Sequence, residues 1–481
     1  MALETLQPQG LWKQFETICS IPHPSKHEKK LAEYIFQYGK SLGLETKTDE
    51  SGNVFICKPA TKGFENRPTV VLQAHIDMVP QKNSATKHDF VNDPIKPQII
   101  GEWVHATNTT LGADNGIGAA SILALLESSD IPHGPLEALF TLDEETGMGG
   151  AFALKPGFLK GSILLNTDSE DDNELIVGCA GGMDFTATFH KKTTTIQEDF
   201  VAYTIFIKGL KGGHSGIDIG LSRGNANILL ARLLAKVVKK YPAFISNFNG
   251  GNMRNAIPRE TNATVCVRKD LAIEFLVFVK KFFKAYEVEL KGIDDNLKIT
   301  CKEVKTPETV FEHDFSNALL KAITCCPNGV ISMEPEIKGV VQTSTNLSIV
   351  QTTENDVQIH CLLRSSNEAK KAQLAETMTK LFELFGANVT TYGNYPGWKP
   401  SAQSGILSIF KKIYPQVMGH EPDIKVIHAG LECGIIGSSH PNLDMISFGP
   451  TMKHPHSPDE KVNIASVAKY WELMKVILKE I

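Results

Sequence analysis

Three apolar runs of strand length are each followed at once by a histidine or a carboxylate. Thr69–Ala74 leads into His75-Ile76-Asp77, Glu137–Leu142 into Asp143-Glu144-Glu145, and Ile163–Thr167 into Asp168. A fourth cluster, Gly112-Ala113-Asp114-Asn115-Gly116, opens a predicted helix over Asp114–Ser128. In an open α/β sheet, ligands gather outside the carboxyl ends of the strands. If the three strands share a sheet, their polar ends therefore converge on one rim. The surrounding rhythm supports such a sheet. Val54–Cys57 reads as another buried strand, and Leu31, Ile35, Tyr38 and Leu42 fall at helical spacing behind Ser25, read as an N-cap with Glu28 three residues on. This alternation predicts an α/β domain with a mostly parallel sheet covered by helices.

The pattern changes after about Asp184. Val201–Ile207 alternates like an antiparallel strand, and Asn225–Lys240 reads as a helix whose basic end suits its dipole. Further strand and helix patterns follow at Ala263–Val267, Ala272–Phe283 and Glu368–Phe385, until Pro396, Gly397 and Pro400 mark another boundary. Polar residues then cluster over His454–Glu460. The expected organisation is one α/β domain in two parts, 1–184 and 395–481, interrupted by an inserted α+β domain over 185–394.

Bulk properties remove several classes of function. A chain of 481 residues with 42% hydrophobic content is long enough for more than one core, and a net charge of -5 offers no basic field for nucleic acid or anionic lipid. No apolar stretch approaches the roughly 20 residues that span a bilayer, and no signal-peptide pattern opens the chain. Nine scattered cysteines without a CxxC pair fit reduced thiols in a cytoplasmic protein. The sequence has no G-x-S-x-G elbow, HExxH helix or G-x-x-x-x-G-K-[ST] loop. The Gly-rich turn Gly178-Cys179-Ala180-Gly181-Gly182 is too short of features to be a phosphate site.

One imidazole and several carboxylates on a shared rim repel one another unless a cation sits among them. Zinc accepts such mixed nitrogen and oxygen donors, and His454 and His456 offer a second imidazole. Three carboxylates against two divalent ions leave about one positive charge for a bound hydroxide, a sensible balance for a two-metal hydrolase. Taken singly, Asp114 reads as a helix cap, Glu144-Glu145 as a solvated pair and His75 as a satisfied histidine. Their order and placement together favour the site.

The motifs His75-Ile76-Asp77, Gly112–Gly116, Asp143–Gly147, Asn166-Thr167-Asp168, Gly212-Gly213-His214-Ser215-Gly216 and His456-Ser457-Pro458-Asp459-Glu460 resemble the aminoacylase/carboxypeptidase-like family of di-zinc metallopeptidases. The likeness is greatest to its aminoacyl-histidine dipeptidase branch. It implies a soluble dipeptidase with two zinc ions, manganese or cobalt being alternatives, and the inserted domain as a lid. His75 and Asp168 would hold one ion, Glu145 and His456 the other, and Asp114, followed by a cis peptide, would bridge them. Asp77 would fix the His75 tautomer, and Glu144 would be the general base toward a metal-bridging water. From the lid, His214 would stabilise the oxyanion, Asn255 would contact substrate polar groups and Arg364 would clamp the substrate carboxylate. Gly430 would admit the substrate close to the backbone. His23, His88 and His105 match no role. The expected partner is a small dipeptide, Xaa-His peptides including β-alanyl-histidine among them, with no nucleic acid or membrane; the lid either pairs two chains as a homodimer or, by its larger size, replaces the partner. An N-acyl amino acid hydrolase, a tripeptidase and a catalytically silent metal-binding scaffold are the competing readings.

Overall fold

The computed structural model describes residues 3–335 and 337–481. The chain forms two compact units, Met1–Cys179 with Trp398–Val426 and Leu431–Ile481, and Ala180–Gly397 with Ile427–Gly430. The short segment 427–430, which the sequence pattern leaves in the C-terminal part, thus belongs to the second unit.

An eight-stranded sheet organises the first unit, in the order Glu45–Thr48, Val54–Lys58, Leu136–Thr141, Val70–His75, Ile163–Asn166, Asp444–Ser447, Glu174–Cys179, Asp423–Ile427. The four central strands, from Leu136–Thr141 to Asp444–Ser447, run parallel. The flanking pairs are antiparallel, so the mostly parallel sheet expected from the sequence is confined to the centre. Every residue of Val70–His75 and of Leu136–Thr141 is buried, as strands covered on both faces require. The parallel register sets Gln73 beside Leu139 and Asn166, and His75 beside Thr141, so the three strands end at about the same level.

The helix Ala113–Glu127 is buried on all sides from Ala113 to Leu126, packing on Val70–His75 and on the helix Gln9–Ser20. Its apolar circumference follows from that two-sided cover. The predicted helix near Leu31 runs over Lys29–Ser41, but Ser25 is not its cap. Residues 24–27 form a turn closed by the His27 amide on the Pro24 carbonyl, and the Ser25 hydroxyl donates to Asp77 instead. A separate four-stranded antiparallel sheet joins Pro97–Ile100, Trp103–Ala106, Lys461–Asn463 and Met452–Lys453, and the turn between the last two carries His454 to Glu460.

The second unit is built on a nine-stranded antiparallel sheet. Its core combines Leu230 and Leu234 of the helix Ala226–Lys240, Phe275 of Ala272–Glu289, Leu319 of His313–Cys325 and Phe382 of Glu368–Leu384 with inward residues of the strands. Asn225 caps the first of these helices, its side chain accepting from the Ile228 amide at 3.2 Å. No helix among the described residues is long and apolar enough to cross a membrane, and none of the nine cysteines is in a disulfide.

Candidate metal centre and substrate site

The rim of the central sheet gathers the residues expected there. His75 is the last residue of its strand, Glu144 and Glu145 follow Leu136–Thr141, and Asp168 follows Ile163–Asn166. Asp114 arrives from the start of the helix Ala113–Glu127, just ahead of a cis Asp114–Asn115 peptide, and His456 from the turn of the small sheet. His75 Nε2 lies 3.1 Å from Asp114 Oδ1 and 3.2 Å from Asp168 Oδ1. His456 Nε2 lies 3.1 Å from Asp114 Oδ2 and 3.0 Å from Glu145 Oε1. Asp114 therefore turns one oxygen to each imidazole, dividing the set into two halves that share it. His454 does not take part: it is exposed, and its carbonyl only accepts from the Ser457 hydroxyl.

Supporting contacts fix these groups. His75 Nδ1 is 3.1 Å from the Asp77 carbonyl and 3.4 Å from its carboxylate, which holds a proton on Nδ1 and makes Nε2 the nitrogen that faces Asp114 and Asp168. Asp77 also accepts from the Ser25 hydroxyl at 2.8 Å and from the amides of Glu144 and Glu145 at 2.9 and 3.2 Å. One buried carboxylate thus orients the first imidazole and the Glu144-Glu145 turn together. Asn115 Nδ2 donates to Asp168 at 2.7 Å. A Cβ at Gly118 would come within 2.0 Å of the Asn115 amide oxygen and 2.2 Å of the Thr167 hydroxyl, so only glycine lets the helix approach here. Glu460 accepts from the amides of Leu111, Gly112, Ala113 and Asp114 at 2.7, 3.1, 2.8 and 3.3 Å, holding the turn that presents Asp114.

The electrostatics are those of a strongly negative cleft. Burial, reinforced by Asp168, Glu432 and Glu145, holds the Glu144 carboxyl well above the ordinary carboxylate range. Burial likewise pushes Asp168 up to about 6. Burial opposes a charge on His75, but Asp168, Asp114 and Asp77 outweigh it and raise its pKa well above the usual value. The hydrogen bond to Asp114 and the close carboxylate of Glu145 raise His456 to about 11. Burial works against ionisation of Asp77 too, yet its bonds to His75 and Ser25 bring it down to about 2. Glu145 Oε1 is buried with no well-formed hydrogen bond despite its short distance to His456. This orphaned oxygen, two imidazole nitrogens and a shared aspartate are the donor set that a divalent cation satisfies.

The other expected residues form a second group within the second unit. His214 Nδ1 accepts from the amides of Gly216 and Ile217 at 3.2 and 3.1 Å, so its proton sits on Nε2. Burial, then Arg364, lowers its pKa, leaving a neutral ring with one N–H to donate. The Asn255 carbonyl accepts from the Ser215 amide at 2.8 Å, tying Asn255 to the His214 turn. Arg364 is 5% exposed; its Nη1 donates to the Tyr395 hydroxyl at 3.1 Å, and its Nε has no partner. Gly430 closes the segment Ile427–Gly430, whose His428 accepts from or donates to the Ser344 hydroxyl at 2.7 Å and is held neutral by burial and Arg364, with a pKa of about 3. The Gly-rich turn has a packing role: a Cβ at Gly182 would lie 2.5 Å from the Tyr395 ring, which must pass there to meet Arg364. His88 and His105 lie outside both groups, and His23 is a buried loop histidine bonded to the Ile21 carbonyl.

Sequence reasoning missed the roles of Ser25, Asn115, Glu432, Glu460 and Tyr395. Asn115 lies inside a quoted motif and could have been found there; Ser25 carries the pattern of a helix cap instead, and no local pattern marks the other three as supports.

A parallel-centred sheet with two imidazoles and three carboxylates on its rim, a buried glutamate among them, is the framework of a metal-dependent hydrolase. Residues 71–480 match the family model of peptidase family M20/M25/M40, and the chain belongs to that family and is a peptide hydrolase. It is 46% identical over 479 residues to the cytosol non-specific dipeptidase of Escherichia coli K12, covering 100% of this chain and 99% of that protein. It resembles the crystal structure of the aminoacylhistidine dipeptidase from Vibrio alginolyticus with a TM-score of 0.96 and 49% identity, covering 100% of this chain and 98% of that one. The aminopeptidase PepT structure from Bacillus cereus, 18% identical with a TM-score of 0.60 and covering 99% of each chain, shares the fold.

Proposed function

We propose that this protein hydrolyses unblocked dipeptides, Xaa-His peptides including β-alanyl-histidine among them, in a reaction that depends on divalent metal, zinc in the first instance. The observation that carries the reading is the convergence of His75, Asp114, Glu145, Asp168 and His456, with Glu144 beside them and clear of the set. These five would hold two ions, Asp114 contributing an oxygen to each. Bound there, the ions would polarise the scissile carbonyl and make the attacking water more acidic. Glu144 takes a proton from that water and delivers it to the departing amine, a shuttle suited by a carboxyl whose proton affinity burial raises well above the ordinary carboxylate range. Asp77 keeps the Glu144 amide and the His75 ring in place while the proton moves.

The second unit supplies recognition of the substrate. Arg364, a buried cation with an unpartnered Nε, binds the free carboxylate, because an unpaired buried guanidinium is costly and an anion relieves it. The His214 Nε2–H donates to the carbonyl oxygen as negative charge develops on it, and Asn255 and the backbone at Gly430 contact the remaining polar groups. Recognition of chain ends fits the relative called a non-specific dipeptidase, and the name of the aminoacylhistidine dipeptidase supports Xaa-His peptides as members of the substrate class.

The test is hydrolysis of a dipeptide panel by zinc-loaded and chelated protein, with tripeptides and N-acetyl amino acids alongside. Chelator-sensitive cleavage of dipeptides, Xaa-His included, is expected. Cleavage of only the acyl compounds or tripeptides would move the substrate class, and no turnover with metal bound would leave a scaffold.

A further inference from the structure

Beneath the rim lies a buried polar chain that none of the roles above uses. Asn166 Nδ2 donates to Gln73 Oε1 at 2.6 Å, Gln73 Nε2 donates to Glu432 Oε2 at 2.7 Å, and the Thr141 hydroxyl donates to the same oxygen at 2.6 Å. Gln73, Thr141 and Asn166 are 0% exposed and Glu432 1%. The first three sit on three neighbouring parallel strands, each just ahead of a site residue: Gln73 before His75, Thr141 before Glu144, Asn166 before Asp168. Asn166 Oδ1 also accepts from the Asp168 amide at 3.2 Å. Glu432 reaches this chain from the first turn of the helix Glu432–Ser439, a distant part of the sequence.

A buried acid is an expensive residue for a fold to carry, more so when one oxygen is idle, as Glu432 Oε1 is. Main-chain pairing already joins the strands, so the side-chain ladder is not needed to form the sheet. Its geometry suits another purpose. Strand ends fray where ladder bonds stop, and here two strand ends are tied to one fixed acceptor just before they deliver His75 and Glu144.

We propose that Glu432 is a positioning residue: through the ladder Asn166–Gln73–Glu432–Thr141 it fixes the strand ends that present His75, Glu144 and Asp168. The inference rests on the reading of these three as metal ligands and general base. It differs from a stabilising role because its effect falls on the arrangement of the site, and from a charge effect because two accepted hydrogen bonds carry it.

The experiment compares Glu432→Ala, Glu432→Gln and Thr141→Val with wild type for kcat, KM, zinc affinity by chelator competition, and thermal midpoint. Leu473→Ala, in the helix Ile464–Glu480, serves as a core variant of lowered stability remote from the ladder. Glu432→Ala is expected to lower kcat about tenfold to a hundredfold and zinc affinity by a similar factor, with KM changed by less than about twofold. Glu432→Gln retains an acceptor oxygen and should recover most of both losses. Leu473→Ala should lose thermal stability and keep both constants. Wild-type kcat and zinc affinity in Glu432→Ala would overturn the proposal, as would equal damage in Glu432→Gln, which would assign the effect to charge. If Glu432→Ala does not fold, Thr141→Val decides: a several-fold loss of kcat and zinc affinity supports the ladder, and none refutes it. Wild-type protein that takes up no zinc, seen before any variant is compared, would remove the reading on which the proposal stands.

Discussion

Replacing Glu460 by alanine should loosen Asp114 without touching any group that meets substrate. The Glu460 carboxylate is 2% exposed and accepts from four consecutive amides, three of them at 3.1 Å or less. Burial and the Asp114 charge push its pKa up to about 7, with the amides pulling the other way. Hydrogen bonds to a charged acceptor contribute about 1.5–3 kcal/mol each, and a buried donor left bare costs about 1–3 kcal/mol. Three strong bonds would sum to roughly 4.5–9 kcal/mol, but water entering the vacated space re-satisfies part of the turn. A local loss of about 3–5 kcal/mol is the expected remainder, comparable to breaking one side of a buried charged network. Hydrogen exchange measured over residues 108–118 reads this directly. The amides of residues 111–114 should exchange roughly a hundred- to several-thousand-fold faster, since about 1.4 kcal/mol is tenfold. Zinc affinity should fall at least about tenfold, because Asp114 serves both halves of the donor set. Unchanged protection of residues 111–114, or lost protection with undiminished zinc affinity, would refute the claim that this cradle places the bridging ligand.

Glu144→Gln should bind zinc as tightly as wild type in chelator competition while kcat falls about 10²–10⁴-fold, the usual worth of a general base; ordinary turnover would exclude Glu144 from that role. Arg364→Met should raise KM for free dipeptides and abolish the preference for a dipeptide over its C-terminal amide, measured as the ratio of kcat/KM; a preserved preference would place carboxylate recognition elsewhere. Because the metal-free His456 pKa is raised from 6.5 to about 11, its contribution to metal-free stability is fully present below about pH 6.5 and lost as pH rises through about 11. A metal ligand must be neutral imidazole, so zinc affinity should climb over the same window, with proton release visible by calorimetry in buffers of different ionisation enthalpy; pH-independent zinc affinity would contradict it.

The parts of the fold that local pattern controls were legible. Residues 54–57, 69–74 and 137–142 read as strands because a strand buried on both faces needs an unbroken apolar run, and the strands lie at Val54–Lys58, Val70–His75 and Leu136–Thr141. The helix read over Asn225–Lys240 from its pattern and basic end is Ala226–Lys240, with Asn225 as its cap. What periodicity does not carry is direction. Nothing in the run 54–57 says that it lies antiparallel to its neighbour, and the expected mostly parallel sheet has its parallel pairs at the centre. Ser25 misled for a related reason. A serine three residues before a glutamate satisfies the pattern of a helix cap, yet its hydroxyl had a stronger acceptor in Asp77, distant in sequence and close in space.

The site divides along the same line. His75, Glu144, Glu145 and Asp168 were legible because each follows an apolar run, so chain order and a sheet rule place them together. Asp114 was legible as a polar cluster opening a helix, but its bridging role, and the choice of His456 over His454, needed a resemblance, since neither follows a strand of the central sheet. Glu460, Glu432 and Tyr395 were not legible as supports, because what they do is decided by which backbone amide or side chain arrives opposite them from another part of the chain. Glu432 shows the limit most clearly. It opens the short helix Glu432–Ser439 with no motif of its own, and its partners lie some 290 to 360 residues away. A residue that reacts leaves a trace in its own neighbourhood, because its strand must end where the chemistry is. A residue that holds another in place leaves its trace in the partner's neighbourhood, and only the folded chain brings the two together.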